Sequence, residues 1–181
     1  EPSEEDLADV TIAVVDVGLE WDESKMNFDH HQFPRDAEPL CAPSRASLMT
    51  GMRSSRTGIT VSIGQNAYFD RTDFDVSLAE MMSDAGVAVG LYGKWGLGNP
   101  GSAGQPDKMG FDHWFGYLDQ VHAHDHFTEQ LWKDGEMMDI PENTNDARGV
   151  YVHDLFEQQT LQFVSDHKRT PFFLYLAYTL P

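Results

Sequence analysis

The sequence of 181 residues predicts an α/β domain whose sheet is largely parallel and flanked by helices. Three stretches carry that expectation. Val10 to Val15 is a short apolar, β-branched run ending at Asp16 and Gly18, the pattern of a buried strand that opens into a loop. Ser77-Leu78-Ala79-Glu80 is a capping box followed by Met81 and Met82 at helical spacing; Gly86 stops that helix, and Val87 to Tyr92 follows as a second buried strand. Asp154 to His167 places Leu155, Phe156, Leu161, Phe163 and Val164 on a broad helical face, and after Pro171 the run Phe172 to Tyr178 reads as a third strand. Ser44 to Met52 suits a short helix with Gly51 near its end, whereas the polar, proline-containing stretch from Glu20 to Leu40 reads as coil.

Bulk composition excludes several classes. Hydrophobic residues make up 40% of the chain, so disorder is not expected. The formal net charge of −18 disfavours nucleic acid as a partner, because such a surface repels phosphate. No apolar run approaches the roughly 20 residues that span a bilayer, so no membrane partner is expected. Glu1 to Asp9 is acidic and lacks the basic and apolar regions of a signal peptide. A single cysteine, Cys41, rules out an internal disulfide.

Cys41 stands in Cys41-Ala42-Pro43-Ser44-Arg45, with Thr50-Gly51 downstream. A lone cysteine is ordinarily a small buried hydrophobe; a nucleophilic one needs a positive neighbour, which Arg45 can supply one helical turn away. The stretch is similar to the sulfatase signature, Cys-x-Pro-Ser-Arg followed by Thr/Ser-Gly. In that family a separate formylglycine-generating enzyme oxidises the cysteine to formylglycine. One hydroxyl of the hydrated aldehyde attacks sulfur, the alcohol leaves, and the second hydroxyl helps expel sulfate. The resemblance implies that Cys41 is the nucleophile precursor and that Arg45 stabilises the hydrate and the charged oxygens.

Further blocks agree. Tyr92-Gly93-Lys94-Trp95-Gly96-Leu97-Gly98 resembles the second sulfatase signature, commonly Gly-Lys-Trp-His-Leu-Gly, in which the lysine contacts sulfate. Lys94 takes that role by resemblance, and a lysine at a strand end can neutralise a transferring sulfuryl group. The family histidine on the leaving-group side is replaced by Gly96. Gly110 to Tyr117, Gln120-Val121-His122-Ala123-His124, and Leu131 to Glu136 are similar to arylsulfatase-like segments. His122 and His124 alternate, so on a strand they would share a face; lining of the substrate pocket or a plain structural role is preferred over metal ligation. Pro171 to Ala177 resembles the strand that precedes a further active-site histidine, which would fall just after Pro181.

The family implies an alkaline-phosphatase-like fold, of which this chain is expected to be a truncated N-terminal part, with residues 41–181 as a partial catalytic domain. It also implies calcium, a sulfated small molecule or carbohydrate as substrate, and a periplasmic or secreted location. Residues 1–40 form an atypical segment: Asp16 alone stands where the family has paired calcium-binding aspartates, and a strand-end carboxylate suits that ion. Val15-Asp16-Val17-Gly18, then Phe28-Asp29-His30-His31-Gln32, instead resembles the metal-binding part of DHH-type phosphoesterases, a likeness that spans about residues 10–40. Three readings therefore stay open on the sequence: a formylglycine sulfatase, a sulfatase-like fragment without turnover, and a metal-dependent phosphoesterase using Asp29, His30 and His31.

Overall fold

The computed structural model of the chain describes residues 11–14, 41–59 and 76–179. Its centre is a six-stranded sheet with β1 (Thr11–Val14), β2 (Ala88–Lys94), β3 (His113–Tyr117), β4 (Gln130–Lys133), β5 (Glu136–Asp139) and β6 (Phe172–Ala177) in the order β1-β6-β2-β3-β4-β5. The pairings β1/β6, β6/β2 and β2/β3 are parallel, while β3/β4 and β4/β5 are antiparallel. Helices α1 (Cys41–Thr50), α2 (Ser54–Thr57), α3 (Leu78–Asp84) and α4 (Val152–His167) complete the described regular structure, together with short 3-10 turns. The expected strand at Val10–Val15 joins this sheet, with Thr11 opposite Phe173 and Val14 opposite Leu176.

The strand alternation builds two cores, one on each face. Val89, Leu91, Phe173, Tyr175 and Ala177 point to one side, where they meet Ala42, Ala46 and Met49 of α1 and Ala79 of α3. Tyr92, Phe115, Tyr117, Phe172 and Leu174 point to the other, against Val152, Phe156 and Phe163 of α4. Gly90 allows the second contact, since a β-carbon there would sit 3.0 Å from the Phe163 ring. Burial on both faces explains why β2 and β6 read as nearly continuous apolar runs.

Local chemistry sets the helix ends. Glu80 N–H donates to Ser77 Oγ at 3.0 Å and Ser77 N–H donates to Glu80 Oε2 at 2.9 Å, which completes the capping box at the start of α3. Ser77 Oγ also donates to Met109 O at 2.5 Å and ties that helix end to the turn before β3. The hairpin β4/β5 turns on Asp134 (φ 47) and Gly135 (φ 91), the paired positive φ of a type I′ turn. Asp134 Oδ1 accepts the Trp114 N–H at 2.7 Å and fixes the hairpin against β3.

Candidate active site

The parallel strands β1, β6, β2 and β3 end on one edge of the sheet, the edge where α/β folds place their functional loops. Lys94 is the last residue of β2 on that edge and is only 4% exposed. Cys41 is the first residue of α1, and Arg45 lies one turn further on. Arg45 is 2% exposed; its Nη1 donates to Lys94 O at 2.7 Å and to the Tyr175 hydroxyl at 3.0 Å. The hydrogen bond to Lys94 O joins two sequence blocks 49 residues apart and holds the first half of α1 over the end of β2. A buried guanidinium is stable in such a place only when it is well hydrogen-bonded.

The loop after β2 is anchored as firmly. Trp95 is fully buried, with its indole N–H donating to Gly104 O at 2.7 Å. The Trp95 N–H donates to Tyr117 O at 2.8 Å and the Gly96 N–H to Leu118 O at 3.0 Å. The β2/β3 ladder is thus prolonged into the loops, where Gly96 adopts φ +76.

His122 and His124 do not lie on a strand. They open and close a 3-10 turn, with Ala123 buried between them. Asp119 Oδ1 accepts the N–H groups of Val121 (2.7 Å) and His122 (2.8 Å), and this side-chain-to-backbone cap favours a turn over an extended path. The shared face expected from their alternation is therefore absent. His122 Nε2 is bonded to Thr128 Oγ1 at 2.6 Å, and burial holds its pKa below the usual histidine value. It lines a cleft of about 680 Å³ with Phe127, Glu129, Trp132, Met137 and Arg148. The Arg148 guanidinium lies 5.5 Å from the centre of the Phe127 ring.

Beside the end of β6, His153 Nε2 accepts the Thr179 N–H at 3.1 Å, and the His153 ring is 5.3 Å from that of His126. Burial, reinforced by His126, pushes the His153 pKa down to about 4. Asp16, Asp29, His30 and His31 lie outside the described residues. Among the described residues no three His, Cys, Asp or Glu side chains converge as ligands for a cation. Tyr175 and Gln120 were not singled out from the sequence. A tyrosine inside the apolar run Phe172–Tyr178 was a usable signal, because a buried phenol needs a partner for its hydroxyl.

The α/β/α layering around a sheet with three parallel and two antiparallel pairings agrees with the alkaline-phosphatase-like fold of the solved structures it resembles. The Sulfatase family model matches residues 20–180, and the chain belongs to the sulfatase family. The match includes residues 20–40, and the likeness of that stretch to DHH-type phosphoesterases finds no support in the comparisons. The chain is 31% identical over 149 residues to mouse (Mus musculus) arylsulfatase J, covering 78% of this chain and 25% of that protein. It is 33% identical over 160 residues to pig (Sus scrofa) N-acetylgalactosamine-6-sulfatase, covering 78% of this chain and 30% of that protein. The chain thus spans between a quarter and a third of these relatives. Among solved structures, that of Ps i-CgsB superposes with a TM-score of 0.63 at 24% identity, over 80% of this chain and 35% of the other. A protein crystallised with its substrate D-glucosamine-2-N,6-O-disulfate gives a TM-score of 0.56 at 22% identity, over 78% and 24% respectively. At these identities the structures bear on the fold alone.

Proposed function

We propose that the protein hydrolyses sulfuric esters, with a sulfated carbohydrate as the preferred substrate class and Cys41 as the precursor of its nucleophile. The observation that carries this reading is the Arg45 Nη1 to Lys94 O hydrogen bond of 2.7 Å, which brings the first and second signature blocks to one point of the sheet edge. Membership of the family supports formylglycine at position 41, made by a formylglycine-generating enzyme; once formed, it supplies a hydrated aldehyde that attacks sulfur and later releases sulfate. The remaining work falls to the chain's own side chains. Arg45, held by Lys94 O and Tyr175, keeps a fixed positive charge one turn from position 41. Lys94 takes the role of neutralising the sulfuryl oxygens as negative charge shifts to the leaving oxygen. His122 and the cleft it lines are the candidate contact for the alcohol portion of the substrate.

The family also supports calcium as a cofactor. Among the described residues no ligand cage for it forms, Asp16 lying outside them. An exported location fits the same reading.

The test is made on the complete gene product co-expressed with a formylglycine-generating enzyme. Peptide mass spectrometry should show the thiol-to-aldehyde change at Cys41, and Lys94→Ala should lose sulfate release while keeping that modification. Unmodified Cys41 together with undiminished sulfate release would refute the proposal.

A further inference from the structure

Gly96 takes the position at which the second signature commonly carries histidine, and the structure shows what fills the space. A β-carbon on Gly96 would collide with the carboxamide of Gln120, meeting its Nε2 and lying 2.6 Å from its Cδ. Gln120 Nε2 donates to Gly96 O at 3.3 Å. Among the described residues, its Oε1 and its second amide hydrogen have no partner, although the side chain is 9% exposed. Gln120 is therefore held against the backbone two residues beyond Lys94, on the loop that follows β3, with an acceptor and a donor left open.

We propose, on the sulfatase reading above, that Gln120 is a substrate-binding residue that replaces a side chain at position 96 and holds a hydroxyl of the sugar next to its sulfate ester. The chemistry of the open atoms selects that partner. An acceptor oxygen needs a donor, and a sulfate ester group has none, whereas a sugar hydroxyl is both donor and acceptor. A carboxamide is neutral, so it adds no charge to the loop that follows Lys94, and it does not titrate across the working pH range. Enclosure raises the cost of leaving its polar atoms unpaired, so discrimination against an alcohol without the hydroxyl follows. The histidine signature offers a titrating group on the leaving-group side; here the corresponding place is held by an amide that positions the substrate.

The experiment compares the complete gene product, with Cys41 converted, against Gln120→Ala on two kinds of probe. One is 4-nitrophenyl sulfate, and the other is a panel of monosulfated hexoses and N-acetylhexosamines. Gln120→Ala should lower kcat/KM about 10- to 100-fold on the best sugar sulfate. On the aryl ester the change should stay within about threefold, the aryl group having no neighbouring hydroxyl to lose. A second arm reads the packing without activity: Gly96→His should lower the melting temperature, and Gly96→His with Gln120→Gly should recover at least half of the loss. Equal losses on both probes, unchanged sugar kinetics, hydrolysis of the aryl ester alone, or a Gly96→His protein that melts like the parent would each overturn the inference while leaving sulfate-ester hydrolysis intact. A parent protein that releases sulfate from no probe would overturn the sulfatase reading and this inference with it.

Discussion

Replacing Arg45 by lysine keeps the charge but withdraws the planar guanidinium whose Nη1 donates to two acceptors at once. In the folded chain Nη1 contacts both Lys94 O (2.7 Å) and the Tyr175 hydroxyl (3.0 Å) at a site 2% exposed to solvent. A hydrogen bond to a charged group contributes about 1.5–3 kcal/mol. A lysine that retains one of the two should then cost about 2–3 kcal/mol. For a 181-residue domain that is a fall of about 4–12 °C in melting temperature, and a smaller one in a longer chain. The assay is thermal or urea denaturation of the complete gene product carrying Arg45→Lys, Tyr175→Phe, or both. Because the two side chains touch, the double mutant should be less destabilised than the sum of the singles, by about 1–2 kcal/mol. A loss under about 0.5 kcal/mol for Arg45→Lys, or additivity within that margin, would show that the contact does not hold α1 at the strand edge.

Other consequences follow from the same packing. Gly116→Ala should destabilise strongly, by more than about 4 kcal/mol if the strands cannot part, because its β-carbon would lie 2.7 Å from Gly93 C across the β2/β3 ladder; wild-type denaturation would contradict that. Ser77→Ala removes the cap on Glu80 N–H and the bond to Met109 O, and should cost about 1–2 kcal/mol by urea titration, mostly through the N-cap of α3. His153, with its pKa lowered to about 4 in the folded protein, binds fewer protons there than in the unfolded chain. Stability is therefore full above the unfolded histidine value, near 6.5, and is lost as pH falls toward 4, by about 2 kcal/mol after allowance for solvent screening. His153→Gln should flatten that part of a stability-pH curve, and an unchanged slope would count against the assignment.

Much of this was legible in the sequence because it depended on local rules. The capping box at Ser77 needs only two side chains three residues apart, and it formed with both reciprocal bonds. Strands β2 and β6 are buried on both faces, so their apolar runs announce them. The antiparallel arm β3-β4-β5 was not foreseen: β4 and β5 have four residues each, and the Asp134-Gly135 turn was their one strong signal. The shared face that a strand would give His122 and His124 does not arise, because Asp119 caps a turn there instead. The link from Arg45 to Lys94 and Tyr175 depends on long-range packing, which motif spacing cannot express, although both motifs were recognised. Gln120 escaped notice because its significance lies in the space that Gly96 leaves.

We propose that position 41 supplies the nucleophile for sulfate-ester hydrolysis at the edge where Arg45 and Lys94 meet. Sulfate release by the complete, modified gene product, measured beside its Cys41→Ala variant at equal folded concentration, tests it most directly. Turnover is expected in the first and background in the second, with unchanged melting of the variant. Equal rates in the two proteins would contradict it.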